Sequence, residues 1–189
     1  VAVSKVAIAN RALQKLGAKR IEALSQDHPN ARSINACFDV LRDKLLRRYD
    51  WSFAIKRASI AADGEAPTWG DWDRYSLPND FIRLLRDNET GIAPDWKPEG
   101  LHILSRDGSP LEIRYIARIT DTAFYDATFV EALAADIAFE CCEEITGVTT
   151  RKESMRADKD EAIDEGRRTG AIEKDGQEFP EDDWIAARR

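Results

Sequence analysis

Tyr75-Ser76-Leu77-Pro78-Asn79-Asp80-Phe81-Ile82-Arg83-Leu84 is the stretch on which the fold turns. Leu77-Pro78 gives it an extended entry, because a proline ring pushes the preceding residue out of the α region. Asn79 and Asp80 then turn the chain, since their short side chains bond to nearby backbone. Phe81-Ile82-Arg83-Leu84-Leu85 is an apolar run of strand length. Alone, the segment reads as a turn entering a sheet. Its neighbours make it part of a strand-rich middle section with a long helical segment on either side.

On the C-terminal side, residues 87–100 hold Pro94 and Pro98, which argue against a central strand. Leu101-His102-Ile103-Leu104 and Leu111-Glu112-Ile113-Arg114-Tyr115-Ile116 read as strands. Asp107-Gly108 between these two apolar runs predicts a hairpin. On the N-terminal side, Trp51, Phe53 and Ile55 alternate with Ser52, Ala54 and Lys56, the period of a strand. Trp69 and Trp72 fall among Gly70, Asp71 and Asp73 in a loop. Two loop tryptophans either form a contact surface, since large aromatics supply much interface energy, or fold back as a lid on the sheet. The middle section is expected to be one small antiparallel sheet over residues 51–119.

Helical patterns flank it. Ser4 is an N-cap candidate, Val6, Ala9, Ala12, Leu13 and Leu16 recur at helical spacing, and Gly17 follows as a C-terminal stop. After the turn Asp27-His28-Pro29-Asn30, a longer helix carries Ile34, Phe38, Leu41, Leu45 and Tyr49 on one stripe. Arg42, Lys44, Arg47 and Arg48 lie off that stripe, on a basic side that is solvated or faces a partner. From Asp126, the apolar series Phe129, Leu133, Ile137, Phe139 and Ile145 is interleaved with Ala132, Ala134, Ala135 and Ala138 and stops at Gly147. This is expected to be the most buried helix. A further helix, over about 150–168, has only Met155, Ala162 and Ile163 as sizeable apolar marks, so it is mostly exposed or completed by another chain. Residues 171–189 form a polar tail ending in Trp184-Ile185-Ala186-Ala187-Arg188-Arg189, an anchor with nothing local to bury it against, expected to dock to another chain. The expected class is α+β. Its parts are helices in 1–50, strands in 51–119, helices in 120–170 and an extended arm in 171–189.

With 189 residues and 43% apolar content, the chain has material for one good core. No apolar run approaches the ~20 residues of a membrane span. Val1-Ala2-Val3-Ser4-Lys5 has no signal-peptide pattern, so a cytosolic product is expected. Three cysteines, with Cys141 and Cys142 adjacent, make no disulfide framework. The net charge of −7 conceals a division: residues 1–57 carry twelve Lys/Arg against five acids, whereas residues 119–150 carry seven acids and no Lys or Arg. Such complementarity either aids packing within the chain or sets the register between neighbouring subunits. A net-acidic chain whose positive charge is offset nearby makes a poor duplex binder.

Catalytic patterns are sparse. There is no Gly-rich phosphate loop ending in Lys-Ser/Thr, no GxSxG and no HExxH. His28 and His102, the only histidines, have no Cys or acid at a metal-ligand spacing. On a helix Cys141 and Cys142 diverge by about 100°, which predicts one core thiol and one half-exposed thiol. No cofactor or metal is expected. A glycosidase needs only two carboxylates at the right separation, and Asp71, Asp73 and Asp80 near Trp69 and Trp72 are the candidates.

In five pieces, in order, the chain resembles the head-to-tail adaptor family of tailed bacteriophages, in particular the tail tubular protein A type of short-tailed phages. The pieces are Val6-Ala7-Ile8-Ala9-Asn10-Arg11-Ala12-Leu13-Gln14-Lys15-Leu16-Gly17, Leu46-Arg47-Arg48-Tyr49-Asp50-Trp51-Ser52-Phe53-Ala54, the Tyr75–Leu84 stretch, Phe129 to Gly147, and Trp184-Ile185-Ala186-Ala187-Arg188. The resemblance implies a structural, non-enzymatic virion protein at the head-tail junction, assembled in the host cytoplasm. It implies a ring, usually of twelve copies, that docks beneath the portal, extends the DNA channel and receives the tail nozzle or tube. The implied fold is a four-helix bundle, from the first two and last two helices, with an inserted antiparallel β-domain and a C-terminal arm. Residues 178–189 would be the portal-binding arm, with Phe179, Trp184 and Ile185 as apolar contacts and Arg188 as a charged clamp. Arg42, Arg47 and Arg48 with Asp136, Glu140 and Glu143 would be candidates for contact between protomers. Trp69 and Trp72 would face the next tail component. Double-stranded DNA would pass through an acidic lumen without sequence-specific binding, and no membrane is involved. Two other classes stand beside this one: a phage-associated polysaccharide or cell-wall hydrolase using a carboxylate pair, and a DNA-packaging accessory using the basic N-terminal helices.

Overall fold

Ser4 caps the first helix as its position predicts: its Oγ accepts from the Ala7 N–H at 3.1 Å, opening α1 (Lys5–Lys15). The computed structural model describes residues 3–65, 67–85 and 95–172. Gly17, at φ +65°, ends the first helical segment while the Ala18 N–H bonds back to the Leu13 carbonyl at 2.9 Å. α2 (Pro29–Arg48) begins with proline at its first position and with His28 Nδ1 accepting from the Asn30 N–H at 3.2 Å. α3 (Ala127–Thr146) is capped by Asp126 and closed by Gly147 at φ +65°. α4 (Arg151–Ile172) completes four α-helices among the described residues, with six described strands between α2 and α3.

α3 is the central helix. It packs on α1, α2 and α4, and ten of its residues are buried against eight in α2, so it is the most buried helix, as the alanine-rich pattern predicts. Ile8, Leu13, Ile34, Phe38, Leu45, Phe129, Leu133 and Ile137 are fully enclosed between these helices. At roughly 1.5–3 kcal/mol per enclosed large apolar side chain, this cluster is the main source of stability. α4 packs along α3 and buries Met155, Ala162, Ile163 and Gly166, while Arg156 and Lys159 lie over the Phe139 ring. Arg151 fixes its start, donating from Nη1 to the Leu16 carbonyl at 3.0 Å.

The strands form two three-stranded antiparallel sheets where the sequence predicts one. The first has the order β1 (Ile55–Ile60), β6 (Leu111–Ala117), β3 (Phe81–Leu84). The second has the order β2 (Asp73–Ser76), β5 (His102–Ser105), β4 (Trp96–Glu99). β4 lies at an edge, where Pro98 is tolerated. Leu111, Ile113, Tyr115 and Ala117 alternate along β6 and meet Tyr75 and Ile103 of the second sheet in a separate core. Ile116 faces the other way and joins the helical core. In β3 a bulge lies between Phe81 and Arg83. That extra residue lets Phe81 and Leu84 pack into the inter-sheet core while Ile82 enters the helical one.

Three local expectations need correcting. Asp107-Gly108 does not make a hairpin, because β5 pairs with β2 and β4 while β6 pairs with β1 and β3. The connection spans five residues, 106–110, not the two of a tight turn. The Tyr75 hydroxyl donates to the Gly108 carbonyl at 2.7 Å, pinning this link as it crosses between the sheets. The alternation at 51–55 is not a strand either: Ser52–Ala54 is a single 3-10 turn. Trp51 and Phe53 both enter an aromatic cluster with Phe129, each at a ring separation of 5.0 Å, so burial set their spacing. Cys141 and Cys142 are both buried, because α3 has helices on more than one side.

Candidate functional site

The organising stretch belongs to both sheets. Tyr75 and Ser76 lie in β2, residues 77–80 cross over, and Phe81–Leu84 form β3. The turn is closed by the Phe81 N–H on the Pro78 carbonyl at 3.0 Å. The Asp80 side chain reaches across the first sheet, accepting from Lys56 Nζ at 2.7 Å and the Tyr115 hydroxyl at 3.0 Å. Desolvation raises this carboxyl, but those two bonds and the Lys56 charge outweigh it, and its pKa is lowered overall. Asp73 is in the other sheet, and the Asp71 carbonyl accepts from Arg106 Nε at 3.0 Å. Asp80 is thus engaged in the first sheet, whereas Asp73 belongs to the second.

The tryptophan loop resolves into two roles. Trp72 is held between Lys97 Nζ, 4.4 Å from its ring centre, and the Arg106 guanidinium at 4.1 Å. Gly70, at φ +90°, makes room for it, since a Cβ there would lie 3.0 Å from Trp72 Cδ1. Trp72 folds back on its own sheet. Trp69 is 84% exposed and is presented to solvent.

Three bases of the N-terminal region meet two acids of α3 inside the chain. Arg11 forks onto Glu131 at 2.9 and 3.1 Å, and Lys15 reaches the same carboxylate at 2.5 Å. The Arg11 hydrogen bond is the chief reason that Glu131 is held below the usual carboxylate range. Lys44 bonds to Asp136 at 3.1 Å, and Asp136 is only 2% exposed. Arg42 is not on a solvated side. It is 4% exposed and clamped by Asp39 and Asp43, each at 2.7 Å. Asp43 also accepts from Arg118 at 2.8 Å. Arg47 donates to the Ile82 carbonyl at 2.6 Å, tying α2 to β3. Arg48 lies over the Tyr49 ring, and Glu143 pairs with Lys152 at 3.1 Å. Of the residues assigned to a contact between protomers, Arg42 and Asp136 are thus enclosed within one chain, whereas Arg47, Arg48, Glu140 and Glu143 remain at its surface.

An open cleft of about 470 Å³ lies where the last turns of α4 pass the α2–β1 corner. Tyr49, Trp51, Asp126, Asp164, Arg167 and Arg168 line it. Arg167 stacks over Tyr49 at 5.6 Å and pairs with Asp164 at 3.2 Å. A smaller hollow on β1 and β6 is lined by Arg57, Ser59, Glu112 and Arg114. Neither is lined by Asp71, Asp73 or Asp80. Among the described residues, no group of three or more His, Cys, Asp or Glu side chains is placed to hold a metal ion. His28 caps α2, and His102 Nε2 lies 3.8 Å from Asp63, whose carboxylate also binds Arg74 and Ser76. No described helix is long and apolar enough to cross a membrane.

Two juxtapositions had no signal in the sequence: Cys37 beside Cys141, and Gly166 against Trp51. Both bring together distant positions, and neither residue of either pair belongs to a local motif. The proposed portal contacts Phe179, Trp184, Ile185 and Arg188 lie outside the described residues. No protein-family model matches this chain, and no curated protein matches it significantly.

Proposed function

We propose that this chain is a structural virion protein of the head-to-tail adaptor type, forming a ring beneath the portal and receiving the next tail component. In this reading α1–α4 are the bundle and β1–β6 the inserted domain. The observation that carries it is α4: 22 residues of helix that pack along α3, bury only Met155, Ala162, Ile163 and Gly166, and leave a mostly charged outer face exposed. In a ring, a neighbouring protomer completes that outer face. The element order, two helices, six strands and two helices, agrees with what the resemblance implies. Trp69, exposed at the end of the second sheet, suits the tail-side contact, since exposed aromatics are frequent interface anchors. Charge pairs already closed within the chain, such as Arg11 and Lys15 with Glu131 and Lys152 with Glu143, leave Arg48 and Glu140 as the outward candidates for steering protomers together, with Arg47 exposed but bonded to the Ile82 carbonyl.

The test is mass photometry of the protein mixed with portal rings, using the full chain and a version ending at Asp175. Saturation near one copy per portal subunit, lost on truncation, is the expected result. Binding that survives truncation keeps the adaptor and moves the docking surface onto the helices. Absence of binding, with release of oligosaccharides from a cell-wall preparation, would replace the reading with the hydrolase.

A further inference from the structure

Cys37, in α2, and Cys141, in α3, stand 104 positions apart in sequence, yet their sulfurs are 3.5 Å apart. Cys37 is half-buried and Cys141 is buried. A disulfide needs the sulfurs at ~2.05 Å, so they must close by about 1.5 Å. The Cys37 sulfur also lies 3.4 Å from the Ile34 carbonyl, one turn back in its own helix. Cys142 takes no part; its sulfur is directed toward the Thr146 hydroxyl, 3.9 Å away.

We propose that Cys37 and Cys141 are a dithiol modification site, which a low-molecular-weight disulfide such as oxidised glutathione converts into a covalent staple between α2 and α3. The two thiols differ in the way that such an exchange requires. Cys37 is the accessible one and attacks as thiolate. One glutathione leaves as its thiolate and the other stays on Cys37 as a mixed disulfide. The buried Cys141 then gives up its proton, attacks the Cys37 sulfur and expels the second glutathione. The protein loses two hydrogens and two electrons, and one oxidised glutathione becomes two reduced molecules. The hydrogen bond from Cys141 is the largest influence lowering the Cys37 pKa, and the same bond raises that of Cys141, which fits an attacking and a resolving thiol. The link would join the N-terminal helices to the C-terminal ones through the core, closing a loop that spans 104 positions, and restriction of the unfolded chain grows with loop length.

The experiment incubates the full-length chain with oxidised glutathione, then counts free thiols in denaturant and maps linked peptides. The expected result is a fall from three thiols to one, with the Cys37 and Cys141 peptides joined. The linked form should melt roughly 10 °C above the reduced form, reversibly with reductant. Cys37→Ser should keep its two remaining thiols free of a link, and Cys142→Ser should form the same link as the full-length chain, which keeps the test independent of whether Cys37→Ser folds well. Three thiols remaining, a glutathione adduct left on Cys37, a link through Cys142, or a linked chain that melts no higher would each overturn the proposal.

Discussion

Replacing Gly166 with alanine puts a methyl group 2.6 Å from Cη2 and 3.0 Å from Cζ3 of Trp51, well inside contact distance. The indole has nowhere easy to go. Its Nε1 donates to the Leu45 carbonyl at 3.1 Å, and Phe129 meets it edge to face at 5.0 Å. Overpacking against a fixed ring costs about 1–3 kcal/mol. Alanine returns ~1 kcal/mol of helix propensity. The net expectation is a loss of about 1 kcal/mol. Gly170, four residues on in α4, is the internal control, because a Cβ there meets nothing within 4 Å. Gly170→Ala should therefore show the propensity gain alone, about 0.5–1 kcal/mol. The two variants should differ by roughly 2 kcal/mol, or about 4–8 °C in Tm for a chain of this size. Urea unfolding followed by tryptophan fluorescence measures both, with near-ultraviolet circular dichroism reporting the Trp51 environment. If Gly166→Ala stabilises as much as Gly170→Ala, the close approach of α4 to Trp51 is refuted.

Three further expectations follow from ionisable groups. Because Glu131 titrates below its unfolded value, its contribution is present above about pH 4.3 and lost as the pH falls through its folded pKa; the stability gap between wild type and Glu131→Gln should close on acidification. Lys44→Ala leaves the enclosed Asp136 without its cation and should cost about 1–3 kcal/mol, a loss that adding Asp136→Ala largely reverses in a double-mutant cycle. Burial pushes Tyr115 and Tyr125 up to about 12. Their contribution is full below about pH 10, so ultraviolet titration should show Tyr115 and Tyr125 ionising late, with Tyr75 also raised by burial, while stability falls between about pH 10 and 12.

Periodicity made the helices legible. Ser4, Asp126, Gly17 and Gly147 mark their ends through local backbone chemistry, and the alanine run of α3 announced its burial. Sheet partners were not legible in the same way, because Asp107-Gly108 reports a bend without saying which strands flank it in space. Trp51 and Phe53 imitated strand alternation because two aromatics feed one cluster from a 3-10 turn. Arg42 was assigned to the surface by its type, yet Asp39 and Asp43 lie within one helical turn of it and allow its burial. For the candidate surfaces, the polar loop leaves Trp69 and Trp72 open between exposure and folding back, and the structure gives one of each. The retention of Trp72 depends on Lys97 and Arg106, which only the folded second sheet brings to it.

The Tyr75–Leu84 segment also makes the molecule mechanically continuous. A push on the exposed Trp69 loop enters β2, passes through the short crossover at 77–80 and arrives in β3 within one unbroken run of chain. There the Arg47 guanidinium grips the Ile82 carbonyl, while Ile82 itself is wedged into the core beneath α2 and α3. The exposed loop, the second sheet, the first sheet and the helical core are thus joined in series by one unbroken run of chain.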